Sequence, residues 1–400
     1  MLKKDDFFEN YFTNSKKYNI NLKKTKKIYN SLILDIKEKK IPLLETYEKN
    51  YELDCSKNII RNFSKYKNII IIGMGGSILG IKSIYSFLKI KKNVFFFDNL
   101  DPNLNIKFKK IKNLNNSCFV VVSKSGNTIE TITNLATISS KNLLKNKLII
   151  ITEIASNALM SIAEKYQAKI IEHKEFIAGR YSVLSEAGMV PAALMKLKLL
   201  KFKNLSKLTK NKGFVSSLIK NVASIYTLNT MSIRNSIIIN YDSDLINLSY
   251  WYQQLTAESL GKNGKGINPM LSFGPKDNHS LLQLYLDGPR DKFFTFFSSS
   301  KKYANKKISN SVIPNNMSFL KNKNLKLIID AQLKATKKIF KIKKIPFRQI
   351  IFKKNNENEL GTIFTFFVLE TILLARLMNI NAFDQPAVEQ VKSEVKKLLK

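Results

Sequence analysis

Apolar residues in this chain gather in short unbroken runs, each followed by a stretch whose apolar positions recur every three or four residues. "KNIIIIGMGGSILG" (67–80) carries four isoleucines into a glycine-rich turn, and "IKSIYSFLKI" (81–90) continues with helical spacing. "KKNVFFFDN" (91–99), "SCFVVVSKSGNTIETITNLATI" (117–138), "NKLIIITE" (146–153), the helical "NALMSIAEKY" (157–166) and "AKIIEHK" (168–174) repeat the theme. Apolar runs without alternation belong to strands buried on both faces, so the pattern predicts βαβ units around a parallel sheet. After a helical middle (188–230) it resumes. "NSIIINYDSD" (235–244), "KFFTFFSS" (292–299) and "FRQIIFKK" (347–354) read as strands, with helices over 246–260, 324–340 and 359–380.

The fold class predicted is α/β, with two αβα sandwich domains in tandem and mainly parallel sheets. Residues 1–60 read as a helical segment packing on the domains. The boundary between domains falls within 185–230, and a division at 205 gives a first α/β domain over 61–205 and a second over 206–380. Residues 381–400 form a C-terminal helix. The tract "IFTFFVLETILLARLMNI" (363–380) contains Glu370 and Arg376, so it reads as a core helix and not a membrane span. "MLKKDDFFENYF" has acidic residues and no apolar core, hence no secretory signal. A cytoplasmic protein with no membrane partner is expected.

Composition changes one part of this picture. A formal net charge of +37 over 400 residues suggests nucleic acid as a partner. Yet only six of the 67 basic residues are arginine, the side chain favoured for reading bases and clamping phosphates. The lysines are spread along the chain with Asn and Ile, so no specific nucleic-acid partner is expected. Cys55, Cys118, His173 and His279 are the whole supply of those residue types, too few for a metal cluster or a disulfide framework.

The chemistry sits at the ends of the runs. In "GMGGSILG" a strand, a glycine turn and a helix start offer free amides to an anion. Ile78 breaks the dinucleotide pattern G-x-G-x-x-G, although Asp98 would serve as a ribose partner. A turn that needs glycine for packing alone is the alternative. In "SKSGNT", the hydroxyls of Ser123, Ser125 and Thr128 with Lys124 exceed what capping one helix requires. With no G-x-x-x-x-G-K-[ST] pattern, the loop suits a single phosphate monoester. Arg180, in "AGRYSVLSEAG", would stabilise developing negative charge or form a structural ion pair. Gln254 and Glu258 lie four apart on one helix face, ahead of "GKNGKG". Glu258 is therefore either a solvated carboxylate or a base at the mouth of a site. His279, among Gly274, Pro275, Asp277 and Asn278, is a cap or a proton-transfer group, and His173 ends a strand without such company. Nothing intrinsic separates Lys392 from Lys396, Lys397 and Lys400.

"GMGGSILG", "SKSGNTIET", "GRYSVLS", "QQLTAESLGK", "HSLLQL" and "FDQPAVEQVK" occur in that order between residues 70 and 392. In these the chain resembles the glucose-6-phosphate isomerase family. The resemblance implies two sugar-isomerase (SIS-type) domains, a homodimer and a glucose 6-phosphate/fructose 6-phosphate substrate, with no metal and no cofactor. It implies that Ser77, Ser123, Lys124, Ser125 and Thr128 hold the phosphate. Gly75 and Gly76 would let the backbone approach the sugar, and Gln254 and Gln385 would touch it. Arg180 would stabilise a cis-enediolate and Glu258 would move a proton between C2 and C1. His279, supplied by the neighbouring subunit, and Lys392 would open the ring. Asn278 and Val391 depart from the Gln and Gly usual beside that His and Lys. A related isomerase that also takes mannose 6-phosphate, and a sugar-phosphate-binding regulator on the same fold, are the alternatives.

Overall fold

The computed structural model describes residues 8, 11, 15–138, 141–301 and 306–399, which leaves most of "MLKKDDFFENYF" outside the described residues. Five strands form the first sheet: β1 (Asn68–Gly73), β2 (Asn93–Phe97), β3 (Ser117–Val122), β4 (Leu148–Thr152) and β5 (Lys169–Glu172). They lie in the order β2-β1-β3-β4-β5, every pair parallel. The second sheet holds β6 (Asn235–Asn240), β7 (Asn268–Phe273), β8 (Lys292–Ser299) and β9 (Phe347–Phe352) in the order β7-β6-β8-β9, again parallel throughout. The expected α/β class with two parallel sheets is what the chain forms.

The central strands are buried along their whole length, as in β1, β3 and β4, because helices cover both faces. The sequence pattern did not predict β7. Pro269 cannot donate to a ladder, and Asn268 and Met270 are exposed, so the segment lacks an apolar run. It is tolerated because β7 is an edge strand.

The order of strands reverses beside the first strand of each sheet, the switch point at which parallel sheets leave a crevice at their carboxyl ends. In the first sheet β1 lies between β2 and β3, and the register pairs Gly73 with Val122. The glycine turn after β1 and the hydroxyl-rich loop after β3 therefore emerge side by side.

Helices join the two sheets. The Gly76–Leu88 helix, which leaves the glycine turn, packs on the Ile246–Leu260 helix, which follows β6. Ser83 Oγ donates to the Asn247 carbonyl at 2.9 Å across that contact. Beneath, Trp251 meets Phe364 edge-on at 4.7 Å. Such a pair adds about 0.5–1.5 kcal/mol beyond burial. Phe364 belongs to the Glu357–Met378 helix, capped by Asn356 and ended by left-handed Asn379. That helix is long and apolar enough to cross a membrane, and 89% of its apolar window is buried inside the protein. The Lys16–Lys37 helix lies across it, tied by Arg376 to Asp35 at 2.7 Å. The Val388–Leu398 helix, by contrast, has no buried residue.

Candidate active site

Glu258 sits in the last turn of the Ile246–Leu260 helix, one turn after Gln254. Trp251, Tyr252, Leu255, Thr256, Ser259 and Leu260 are buried, while Gln254, Ala257 and Glu258 are half-buried. The helix is thus anchored on one side and presents the carboxylate at the rim of the other. Gln254 Nε2 donates to Glu258 Oε1 at 2.8 Å, and Gln254 Oε1 is buried without a hydrogen-bond partner. Glu258 Oε2 accepts from Arg180 Nη1 at 3.3 Å.

Arg180 lies in a 3-10 turn, Gly179–Leu184, with its side chain fully buried. Its fork is saturated. Nε donates to Ser259 Oγ at 2.8 Å, Nη1 to Gln385 Oε1 at 2.5 Å, and Nη2 to the carbonyls of Ala382 and Asp384 at 2.7 and 2.9 Å. A rigid planar donor set of this kind fixes the guanidinium where a lysine would not. Tyr181 supports it. Its ring lies 5.2 Å from the guanidinium carbon, and its hydroxyl shares a 2.9 Å hydrogen bond with Ser259 Oγ. The 381–385 segment is held from the other side by Lys262, which pairs with Asp384 at 2.8 Å. That lysine holds the Asp384 carboxyl below its usual range.

Gly75 and Gly76 fill the space between these groups. Gly75 has φ +51°, and a Cβ there would lie 2.8 Å from Gln254 Nε2. A Cβ on Gly76 would come within 2.2 Å of the Gly179 carbonyl carbon and 2.4 Å of Arg180 N. Glycine is therefore needed here for close approach of the Arg180 turn, as the packing reading of this motif has it.

Beyond lies the hydroxyl loop. Ser123 Oγ and Thr128 Oγ1 are 2.8 Å apart, and Ser125 Oγ accepts from Asn127 N at 3.4 Å. Ser77, in the first turn of the Gly76–Leu88 helix, makes no hydrogen bond through its hydroxyl among the described residues. The loop is fastened from behind, where Ala158 N donates to Asn127 Oδ1 at 3.0 Å. Lys124 is turned to the Glu175 carbonyl at 2.6 Å and to Glu153 at 3.6 Å.

The structure thus brings together Glu258, Gln254, Arg180, Gln385, Gly75 and Gly76, with Ser77, Ser123, Lys124, Ser125 and Thr128 on the adjoining loops. It does not bring His279 or Lys392 to them through a hydrogen bond or ion pair. His279 is exposed at the end of the Lys276–His279 turn. Lys392 is exposed and pairs with Glu389 at 2.6 Å. Sequence reasoning missed Ser259 and the Ala382 and Asp384 carbonyls, which orient Arg180. Ser259 stands beside Glu258 in the quoted "TAESL", but backbone carbonyls carry no residue signal.

A carboxylate held by a buried guanidinium, beside the glycine and hydroxyl loops that leave a parallel sheet at its switch point, is the arrangement of an α/β enzyme. A family model described as phosphoglucose isomerase matches residues 52–274. A glucose-6-phosphate isomerase of Methanocaldococcus jannaschii is 34% identical over 350 residues, 85% of this chain and 86% of its own. The chain belongs to the phosphoglucose isomerase family. In fold it is similar to a hypothetical protein from Thermus thermophilus, with TM-score 0.82, 22% identity and full coverage of both chains. It is also similar to a glucose-6-phosphate isomerase from Chlamydia trachomatis, with TM-score 0.68 and 19% identity over 86% of this chain and 71% of that one.

Proposed function

We propose that this protein interconverts glucose 6-phosphate and fructose 6-phosphate in the cytoplasm, as a homodimer, through a cis-enediolate. The observation that carries the reading is the Glu258 carboxylate, one oxygen on the Gln254 amide and the other on the buried Arg180 guanidinium. Glu258 takes the proton from C2 of the open-chain aldose. The C–H electron pair becomes the C1–C2 double bond, and the carbonyl oxygen gathers the charge. Return of the proton to C1, with the C2 hydroxyl proton passing to O1, gives the ketose. The fixed Arg180 charge and the Gln385 amide stand beside the charge that develops, and a charge held in place is worth most there because it does not reorganise.

The phosphate is held by Ser77, Ser123, Ser125 and Thr128, with Lys124 turning from Glu153 toward the anion. Gln254 binds the sugar hydroxyls with its unpartnered oxygen. His279 of a second copy and Lys392 assist ring opening, which fits their exposure here. No step in this scheme is assigned to a metal or an organic cofactor.

A coupled assay of fructose 6-phosphate conversion with EDTA present, and mannose 6-phosphate in parallel, tests the reading. Chelator-resistant turnover of fructose 6-phosphate alone supports it. Turnover of both sugars makes the enzyme a dual isomerase, and no turnover with retained binding makes it a sensor.

A further inference from the structure

Away from the active site, a cavity of about 590 Å³ lies where the end of the Lys16–Lys37 helix and the Pro42–Tyr47 turn meet residues 203–207. Five lysines line it: Lys37, Lys39, Lys49, Lys203 and Lys207. Two carboxylates share the lining, and both are engaged. Glu45 pairs with Lys39 at 3.6 Å, and Glu48 accepts from the Ser206 hydroxyl. Lys37, Lys49, Lys203 and Lys207 have no carboxylate within ion-pair distance among the described residues.

Lys203 is the unusual member. It is 1% exposed, yet its ammonium makes a single long hydrogen bond, 3.4 Å to the Tyr51 carbonyl, and sits 4.6 Å over the Tyr51 ring. A buried ammonium needs a counter-charge, because the loss of water is repaid only by close opposite charge and filled donors. Glu186, whose charge acts on Lys203 from a distance, makes no ion pair with it and spends its hydrogen bonds on neutral donors. It accepts from the Tyr51 hydroxyl at 2.9 and 3.1 Å and from Asp54 N at 3.2 Å. Burial consequently pushes the Lys203 amine down to about 8, with Glu186 only partly opposing it.

We propose that this cavity is a second anion site, distinct from the Arg180–Glu258 site, that takes a small multiply charged phosphate compound with Lys203 at its floor. Lys49 and Lys207 at the rim supply the remaining charge. The site does not depend on the isomerase reading, since none of its residues touches Glu258 or Arg180.

The test is titration calorimetry of the full chain with inorganic pyrophosphate, in the presence of saturating fructose 6-phosphate. Heat on adding the sugar phosphate reports the active site separately, so failure of one reading is distinguishable from failure of the other. One pyrophosphate per chain is expected, weakened at least about tenfold by Lys203→Met, as loss of one charge-assisted contact implies. Lys49→Ala and Lys207→Ala, both at exposed positions, should each weaken it severalfold without affecting folding. Undiminished affinity in Lys203→Met, or no binding at about 10 mM in the parent protein, overturns the site. If Lys203→Met fails to fold, unchanged affinity in both rim variants overturns it instead.

Discussion

Arg348 on β9 and Glu370 on the Glu357–Met378 helix are joined at 2.5 Å with their side chains 0% and 1% exposed. Tyr252 closes the pair, donating to Glu370 Oε1 at 2.6 Å and accepting from Arg348 Nη2 at 2.8 Å. Thr295 on β8 and Asn221 on the Lys212–Thr230 helix take the remaining guanidinium donors at 2.8 and 2.7 Å. Two strands and three helices meet in one satisfied polar cluster. Tyr252 lies on the helix that carries Gln254 and Glu258, so the cluster fixes the floor from which the site is presented.

Glu370→Gln leaves the Arg348 charge buried without its counterion. Breaking such a pair from one side costs about 3–5 kcal/mol, which urea unfolding monitored by circular dichroism would read. Tyr252→Phe, which removes one hydroxyl, should cost about 1–3 kcal/mol. A loss under about 1 kcal/mol for Glu370→Gln would show that the cluster does not hold the helix in place.

Glu258→Gln keeps the shape of the side chain and removes the base. A fall in kcat of at least about 10²–10⁴-fold with KM little changed is expected in steady-state kinetics. Turnover near that of the parent would take the proton-transfer role away from Glu258.

Gly76→Ala inserts a methyl group 2.2–2.4 Å from the backbone of Gly179 and Arg180. Strain of about 1–3 kcal/mol and a loss of about 10²-fold in kcat/KM are expected, because Arg180 must shift. Gly213→Ala, where the added methyl group meets only the Asn211 side-chain oxygen at 3.3 Å, is the milder comparison and should leave kcat/KM unchanged. Equal behaviour of the two variants would mean that the turn is not tightly packed in solution.

His173 is 1% exposed, with Nε2 unpartnered and Nδ1 donating to the Lys174 carbonyl at 3.3 Å. Burial lowers its pKa from 6.5 to about 4. The unfolded chain therefore binds the proton first, and this residue subtracts stability as pH falls from 6.5 towards 4. The full effect approaches about 3 kcal/mol at pH 4 and vanishes above about pH 7. In urea melts, His173→Leu should narrow the gap in stability between about pH 4.5 and about pH 7.5. An unchanged gap would mean that other groups govern the acid limb.

If His279 acts from a second copy, Glu258→Gln and His279→Ala chains should complement each other. Denaturing and refolding them together would restore about a quarter of the parent activity, since half of randomly formed dimers are mixed and each has one intact site. No recovery above the separate variants would place His279 outside the partner's site.

Much of this molecule was legible in the chain as written. Parallel strands buried on both faces must be continuous apolar runs, so eight strands stood out, and the loops that follow them carried the glycines and hydroxyls of the candidate site. β7 escaped because an edge strand with Pro269 needs neither alternation nor an unbroken run. Gln254 and Glu258 were legible as neighbours because helical spacing is local. What the tertiary structure alone decided is which distant groups meet. Arg180 reaches Ser259, 79 residues away, and the Ala382 and Asp384 carbonyls, 202 and 204 residues away. Those contacts bury Arg180 as a clamp that also pairs with Glu258. They leave Lys124 paired with Glu153 and Lys392 out on an exposed helix. Periodicity records which face of an element is buried. Which elements press those faces together is set by packing across the whole chain, and no local window contains it.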